Sequence, residues 1–333
     1  MRHRPLAAAL GLIVVVVLVP APAAAQAPSS EAWVAPTTSW GDPDIQGIWN
    51  NVTATSLERP EALGDKAVLT DEEAAAHSQQ IADRRADFES RPADQHAREG
   101  TGTGYAASVW FETTDDLSSN RTSLLIDPPD GRLPPLTSLA AKVAAAEAET
   151  RRARPADTWW DRGPYERCVS RALPGAMMPG FYNHNYQILQ VPGYVVILVE
   201  MVHDARIIPM DGRPHIASGI KQWLGDSRGH WEGNTLVVET INLPHVDRRN
   251  VAVYGTSEQG RVIERFTRLD DDTMDYRITV DDPVTFTAPW TASIPMTKVE
   301  GPLYEYACHE GNYALPNILA GHRREEALAA AQQ

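Results

Sequence analysis

The stretch Phe181–Leu243 constrains the fold more than any other part of the chain. It runs FYNHNYQILQVPGYVVILVEMVHDARIIPMDGRPH and, a few residues on, WLGDSRGHWEGNTLVVETINL. Strand-like runs alternate here with turn dipeptides. Tyr182–Gln190 and Tyr194–His203 flank Pro192-Gly193, and Ala205–Met210 ends at Asp211-Gly212. Gln222–Trp231 and Asn234–Leu243 flank Glu232-Gly233, a second hairpin. The pattern continues with Arg261–Leu269 and Met274–Val280 around Asp270-Asp271-Asp272, then Trp290–Val299 and Leu303–His309 joined at Gly301-Pro302. About nine or ten short strands in series predict a mainly β fold, an antiparallel lipocalin-like barrel or a sandwich. In the strand entering His203, side chains alternate between two apolar faces as far as Glu200, which predicts burial on both sides.

Residues 66–160 break the β pattern and read as a helical insertion. Thr70-Asp71-Glu72-Glu73 is a capping box before a run of helix formers to Phe88. Thr137 or Ser138 caps a second helix through Arg152. Between them, Glu99–Asn120 carries Tyr105, Trp110 and Phe111, either as a loop over the barrel mouth or as a loose connection.

The N-terminus predicts export. Arg2 and Arg4 precede an apolar run, Leu10–Val19, and Ala23-Ala24-Ala25 offers a cleavage site, so residues 1–25 read as a cleavable signal peptide. The run is short for a membrane span and is followed by Pro20 and Pro22, so no stable membrane insertion is expected after cleavage. Residues 26–40 then form a flexible lead-in, 41–320 a single β-barrel-like domain with its insertion, and 321–333 a tail. The expected compartment is the periplasm or the exterior. There, Cys168 and Cys308 are expected to pair as a disulfide, the alternative being Cys308 and His309 as metal ligands. A formal net charge of −14 argues against nucleic acid and anionic lipid as partners.

Three longer phrases carry a resemblance: RGHWEGNTLVVET (228–240), VIERFTRLDDDTMDYRITVDDPVTFTAPW (262–290) and YEYACHEGN (304–312). Together with GDPDIQGIWNN (41–51) they resemble a large family of secreted bacterial proteins, most of them without an assigned activity. Gly47-Ile48-Trp49 is in addition similar to the opening signature of lipocalin-type barrels, where the tryptophan plugs one end; an ordinary first strand with a core tryptophan reads equally well. The resemblance implies secretion and assigns no catalytic residue; the barrel is read from the strand pattern and Gly-x-Trp.

The site candidates come from the residues themselves. His203, Asp204 and Arg206 follow the doubly apolar strand, where a pocket rim is expected. His203 would serve as acid or base, and Asp204 and Arg206 would position substrate or stabilise charge; alternatively the last two form a structural ion pair. Glu239, in an apolar run, reads as an inward carboxylate or as a cross-strand partner of Arg265. His309 and Glu310 follow Cys308, and the disulfide would bring them toward His184. Met177, Met178, Tyr182, His184, Tyr186 and Trp223 are the expected substrate-binding side chains. Among the ten histidines there is no HExxH, and with no CxxC, Rossmann or nucleophile-elbow motif either, no cofactor and no metal are expected.

The expected function is cofactor-free acid–base chemistry of lyase or isomerase type on a small, largely apolar molecule such as a terpenoid, steroid or aromatic. One alternative is a carrier that binds a small apolar or amphipathic molecule without turnover. Another is a metal-dependent β-barrel enzyme, with His184, His203, His215 and His309 converging.

Overall fold

The computed structural model describes residues 33–92, 95, 114–117, 119–180, 182–245 and 256–332. The expected signal peptide, residues 26–32 of the lead-in and the Tyr105–Phe111 aromatics lie outside the described residues. From Val34 onward the chain forms one unit. No helix among the described residues is long and apolar enough to cross a membrane.

Nine antiparallel strands run side by side in a nearly closed barrel. They are β1 (Gly47–Asn50), β3 (Asn185–Val191), β4 (Tyr194–Val199), β5 (Ala205–Pro209), β6 (Asp226–Glu232), β7 (Thr235–Ile241), β8 (Arg261–Arg268), β9 (Thr273–Asp281) and β10 (Trp290–Val299). Their order is β5-β4-β3-β1-β10-β9-β8-β7-β6, and a short β2 (Leu125–Asp127) pairs with β10. Two meanders, β3 to β5 and β6 to β10, are thus joined through the N-terminal β1. Among the described residues, three α-helices lie outside the sheet: α1 (Asp71–Ser90), α2 (Ser138–Ala153) and α3 (Ala314–Ala330). Thr70 and Glu73 form the expected capping box on α1, and Thr137 caps α2 through the Ala140 N–H.

Period-two alternation decides the inner face. On β4, Val195, Ile197 and Val199 are buried while Tyr194, Val196 and Leu198 are half-buried, so the strand is less covered outside than its composition predicts. The interior is filled by large side chains. Trp49, Trp290, Tyr186, Tyr276 and Phe266 are all wholly buried, and the rings of Phe266 and Tyr276, cross-strand partners, lie 4.7 Å apart. Trp49 donates its indole N–H to the Ile45 carbonyl at 3.0 Å and carries the Arg268 guanidinium 5.8 Å over its ring. Met177 and Met178, expected on a flexible pocket wall, belong to this core and are fully enclosed.

Three expected strands change, one of them, expected at Gln222–Trp231, beginning only at Asp226. The strand entering His203 ends at Val199, and a turn through Glu200–Asp204 leads into β5, with Val202 at φ 64 and His203 at φ 61. Residues 303–309 form no strand. Cys308 there bonds to Cys168 as the expected disulfide and so ties this segment to the stretch before β3.

Among the described residues the barrel has one seam. No backbone ladder joins β5 to β6 among the described residues, and side chains close the gap. Gly229 of β6 comes so near β5 that a Cβ there would lie 2.4 Å from Met210 Sδ and 3.0 Å from Ile208 Cγ2. Inside the seam, Arg206 of β5 reaches past β6 and β7 to Glu264 of β8.

Candidate functional site at the barrel seam

The seam opens at one end into a groove of about 580 Å³. Asp204, Ala205, Arg206 and Ile207 form one wall. Lys221–Ser227, the loop entering β6, forms the other, with Trp223 still 41% exposed. The volume suits a small organic molecule.

Arg206 and Ser227, which line the groove, belong to a fixed polar network behind it. Arg206 Nη1 donates to Glu264 Oε1 at 2.8 Å, Nη2 bonds the second carboxylate oxygen, and Tyr276 donates its hydroxyl to Glu264 at 2.9 Å. Nη2 also lies 3.5 Å from Thr240 Oγ1, which is 2.8 Å from Ser227 Oγ. Both charged side chains are buried, so each relies on the other for the interaction that water would have given it. Glu264 and its glutamate charge hold the Arg206 pKa above its ordinary value against the effect of burial, and burial drives the Tyr276 hydroxyl well above its own.

Two aspartates flank the groove in unlike surroundings. Asp204 is half-buried, and burial raises its carboxyl pKa although the Ser170 hydroxyl donates to it at 2.8 Å. Burial acts in the same sense on Asp226, but there it is outweighed. The Ile216 N–H at 2.9 Å, His215 Nδ1 at 2.8 Å and Arg228 Nη1 at 2.7 Å hold that carboxylate below its ordinary pKa. A pair of carboxyls pushed apart in this way is equipped for different roles, one able to exchange a proton and one held ionised. The Val202–His203 turn beside Asp204 is left-handed, a backbone state a β-branched residue adopts only under strain.

A second polar cluster lies at the same end of the barrel. Ser170, which holds Asp204, precedes Arg171, and Arg171 Nη1 meets His184 Nε2 at 2.7 Å. A guanidinium only donates, so Nε2 is the acceptor and Nδ1 carries the ring proton, 3.3 Å from the Tyr186 hydroxyl. Burial, and then the Arg171 charge, lower the His184 pKa to about 3. Tyr186 donates to the Ala176 carbonyl and accepts from Asn51 Nδ2. Tyr182 and Tyr165 share a hydrogen bond at 2.9 Å under the Tyr306 ring, and burial raises the pKa of all three phenols, that of Tyr306 to about 12.

The remaining expected site residues are placed as follows. His203 is exposed on its turn, because β4 stops short of it. Arg206 pairs with Glu264 and not with Asp204. Glu239 faces outward on β7 and bonds Arg261 at 2.9 Å, not Arg265, since the inward face of that strand is Leu236, Val238 and Thr240. His309 and Glu310 are exposed after Cys308, whereas His184 is buried against Arg171 and Tyr186, so the expected grouping of the three is not formed. Among the described residues, His184, His203, His215 and His309 do not bring their ligand atoms together as a metal group. The residues missed from the sequence are Glu264 and Tyr276. Glu264 had a signal: it lies between Val262 and Phe266 on the inward alternation of its strand.

Compared with known proteins, the chain matches no family model and no curated sequence.

Proposed function

We propose that the seam groove is the active site of an exported, cofactor-free enzyme that moves a proton on a small, largely apolar molecule bearing a polar group. Asp204 acts as the acid or base, Asp226 stays ionised and fixes the loop of the opposite wall, and Trp223 supplies the apolar contact for the substrate. The observation that carries this reading is one groove flanked by two aspartates, one little bonded and half-buried, the other held by three donors. Isomerisation, elimination, cyclisation or hydration all need such a proton exchange and no resident cofactor. The reading keeps the chain with the secreted bacterial proteins that its phrases resemble.

The carrier reading has its own observation. Arg206 is locked to Glu264, so it cannot turn toward a developing negative charge in the groove. A groove that only binds would use Trp223 and the loop 221–227 in the same way. The two readings separate on Asp204→Asn, tested on a molecule that co-purifies with the native protein. Turnover should fall at least a hundredfold with affinity nearly unchanged; a wild-type protein that binds the molecule and never converts it supports the carrier instead.

A further inference from the structure

We propose that Asp157, His322 and Glu326 bind a zinc-type divalent cation that fastens α3 to the segment following α2. The site is remote in sequence from the groove and does not rest on the function proposed for it. His322 and Glu326 stand four residues apart on α3, so both side chains leave the same helix face. Asp157 meets them from the 154–161 segment. His322 Nε2 lies 3.1 Å from Asp157 Oδ1 and 3.5 Å from Glu326 Oε1, and the three ligand atoms all fall within 4.8 Å of one another. Zinc takes such ligands at 2.0–2.2 Å in a tetrahedron, whose edges are then about 3.4 Å. The separations of 3.1 and 3.5 Å bracket that edge.

His322 Nε2 donates to Asp157 Oδ1, a proton that a cation would displace, and the other carboxylate oxygens are already held. Arg154 Nε holds the other oxygen of Asp157 at 3.1 Å, and Arg323 Nη1 holds the other oxygen of Glu326 at 2.7 Å. Each carboxylate therefore presents its remaining oxygen to His322. Arg323 also donates to the Asp157 carbonyl, which fixes α3 over the segment before any ion binds. Asp161 and Glu325 add two more carboxylates, 3.4 Å from Arg154 and 3.8 Å from His322. Four carboxylates thus stand against two guanidiniums, and the imbalance is the charge of one divalent ion. His322 Nδ1 is buried without a hydrogen bond, with Glu325 Oε2 facing it at 3.8 Å. A small closure gives the carboxylate–histidine–metal arrangement that orients a metal-binding ring. Three protein ligands leave a fourth position for water.

The test is calorimetric titration of the chelator-stripped full chain with Zn²⁺, beside His322→Ala and Glu326→Gln. The wild type should bind one Zn²⁺ per chain, and each variant should lose at least tenfold in affinity. Zn²⁺ should also slow proteolytic removal of α3 in the wild type and not in the variants. Glu326 is half-exposed, so Glu326→Gln keeps the fold, checked by circular dichroism, should His322→Ala loosen α3. An absence of stoichiometric binding, or wild-type affinity in Glu326→Gln, would overturn the proposal.

Discussion

Arg206 and Glu264 form a bidentate pair inside the barrel, across the seam that backbone hydrogen bonds leave open. The pair connects β5 to β8 where β5 and β6 share no ladder, and Tyr276 and Thr240 extend it along the inner wall. Glu264→Gln or Arg206→Met alone leaves one buried charge without its partner and should cost about 3–5 kcal/mol. The double variant Arg206→Met/Glu264→Leu removes both charges and should recover most of that loss. Urea unfolding of the three proteins reads the difference; equal losses in single and double variants would mean that the pair does not close the seam.

His184 makes stability depend on pH. Its folded pKa, about 3, is far below the ordinary 6.5, so the unfolded chain takes up a proton that the folded one refuses. The contribution is complete above pH 6.5 and is lost progressively as the pH falls toward 3. His184→Gln keeps an acceptor for Arg171 and removes the titration. Its melting temperature should therefore fall less than the wild type's between pH 7 and pH 4.

Gly225 sets the position of the groove wall. It sits at φ 69, and a Cβ there would lie 2.5 Å from Thr240 Cγ2 and 2.7 Å from the Ile241 carbonyl oxygen. The backbone oxygen cannot move aside as a side-chain tip does. Gly225→Ala should cost about 1–3 kcal/mol, read by chemical denaturation.

The Cys168–Cys308 bridge closes a loop of 140 residues. In the chain-entropy view such a loop contributes about 4–5 kcal/mol at most. Reduction, or Cys168→Ser with Cys308→Ser, should lower the melting temperature substantially. It should also free the 164–180 segment, whose Ser170 and Arg171 hold Asp204 and His184. Hydrogen exchange across that segment checks the second effect.

The strands were legible because alternation and turn dipeptides are local. Pro192-Gly193 sets one hairpin whose register follows directly, and the second turns one residue later than expected, at Gly233-Asn234, with Glu232 paired to Thr235. The site was less legible, because its groove lies at a seam between β5 and β6, and a seam is a property of the closed sheet. Asp204 could be picked as a residue at a strand boundary, yet its partner Ser170 comes from a segment 34 residues earlier. His203 drew attention by chemistry alone; the turn at Val202 carries it to solvent. Glu239 and Glu264 are both carboxylates in apolar strands, and the phase of alternation against neighbouring strands decides which one faces in. That phase puts Glu264 inside against Arg206 and leaves Glu239 outside against Arg261.

The central claim is that Asp204 exchanges a proton with a molecule held in the seam groove. The most direct measurement takes the small molecule that co-purifies with the native protein and incubates it with wild type and with Asp204→Asn. Chromatography with mass spectrometry then follows its conversion and its retention. The account predicts conversion by the wild type, and retention without conversion by the variant. Equal conversion by both proteins would contradict it.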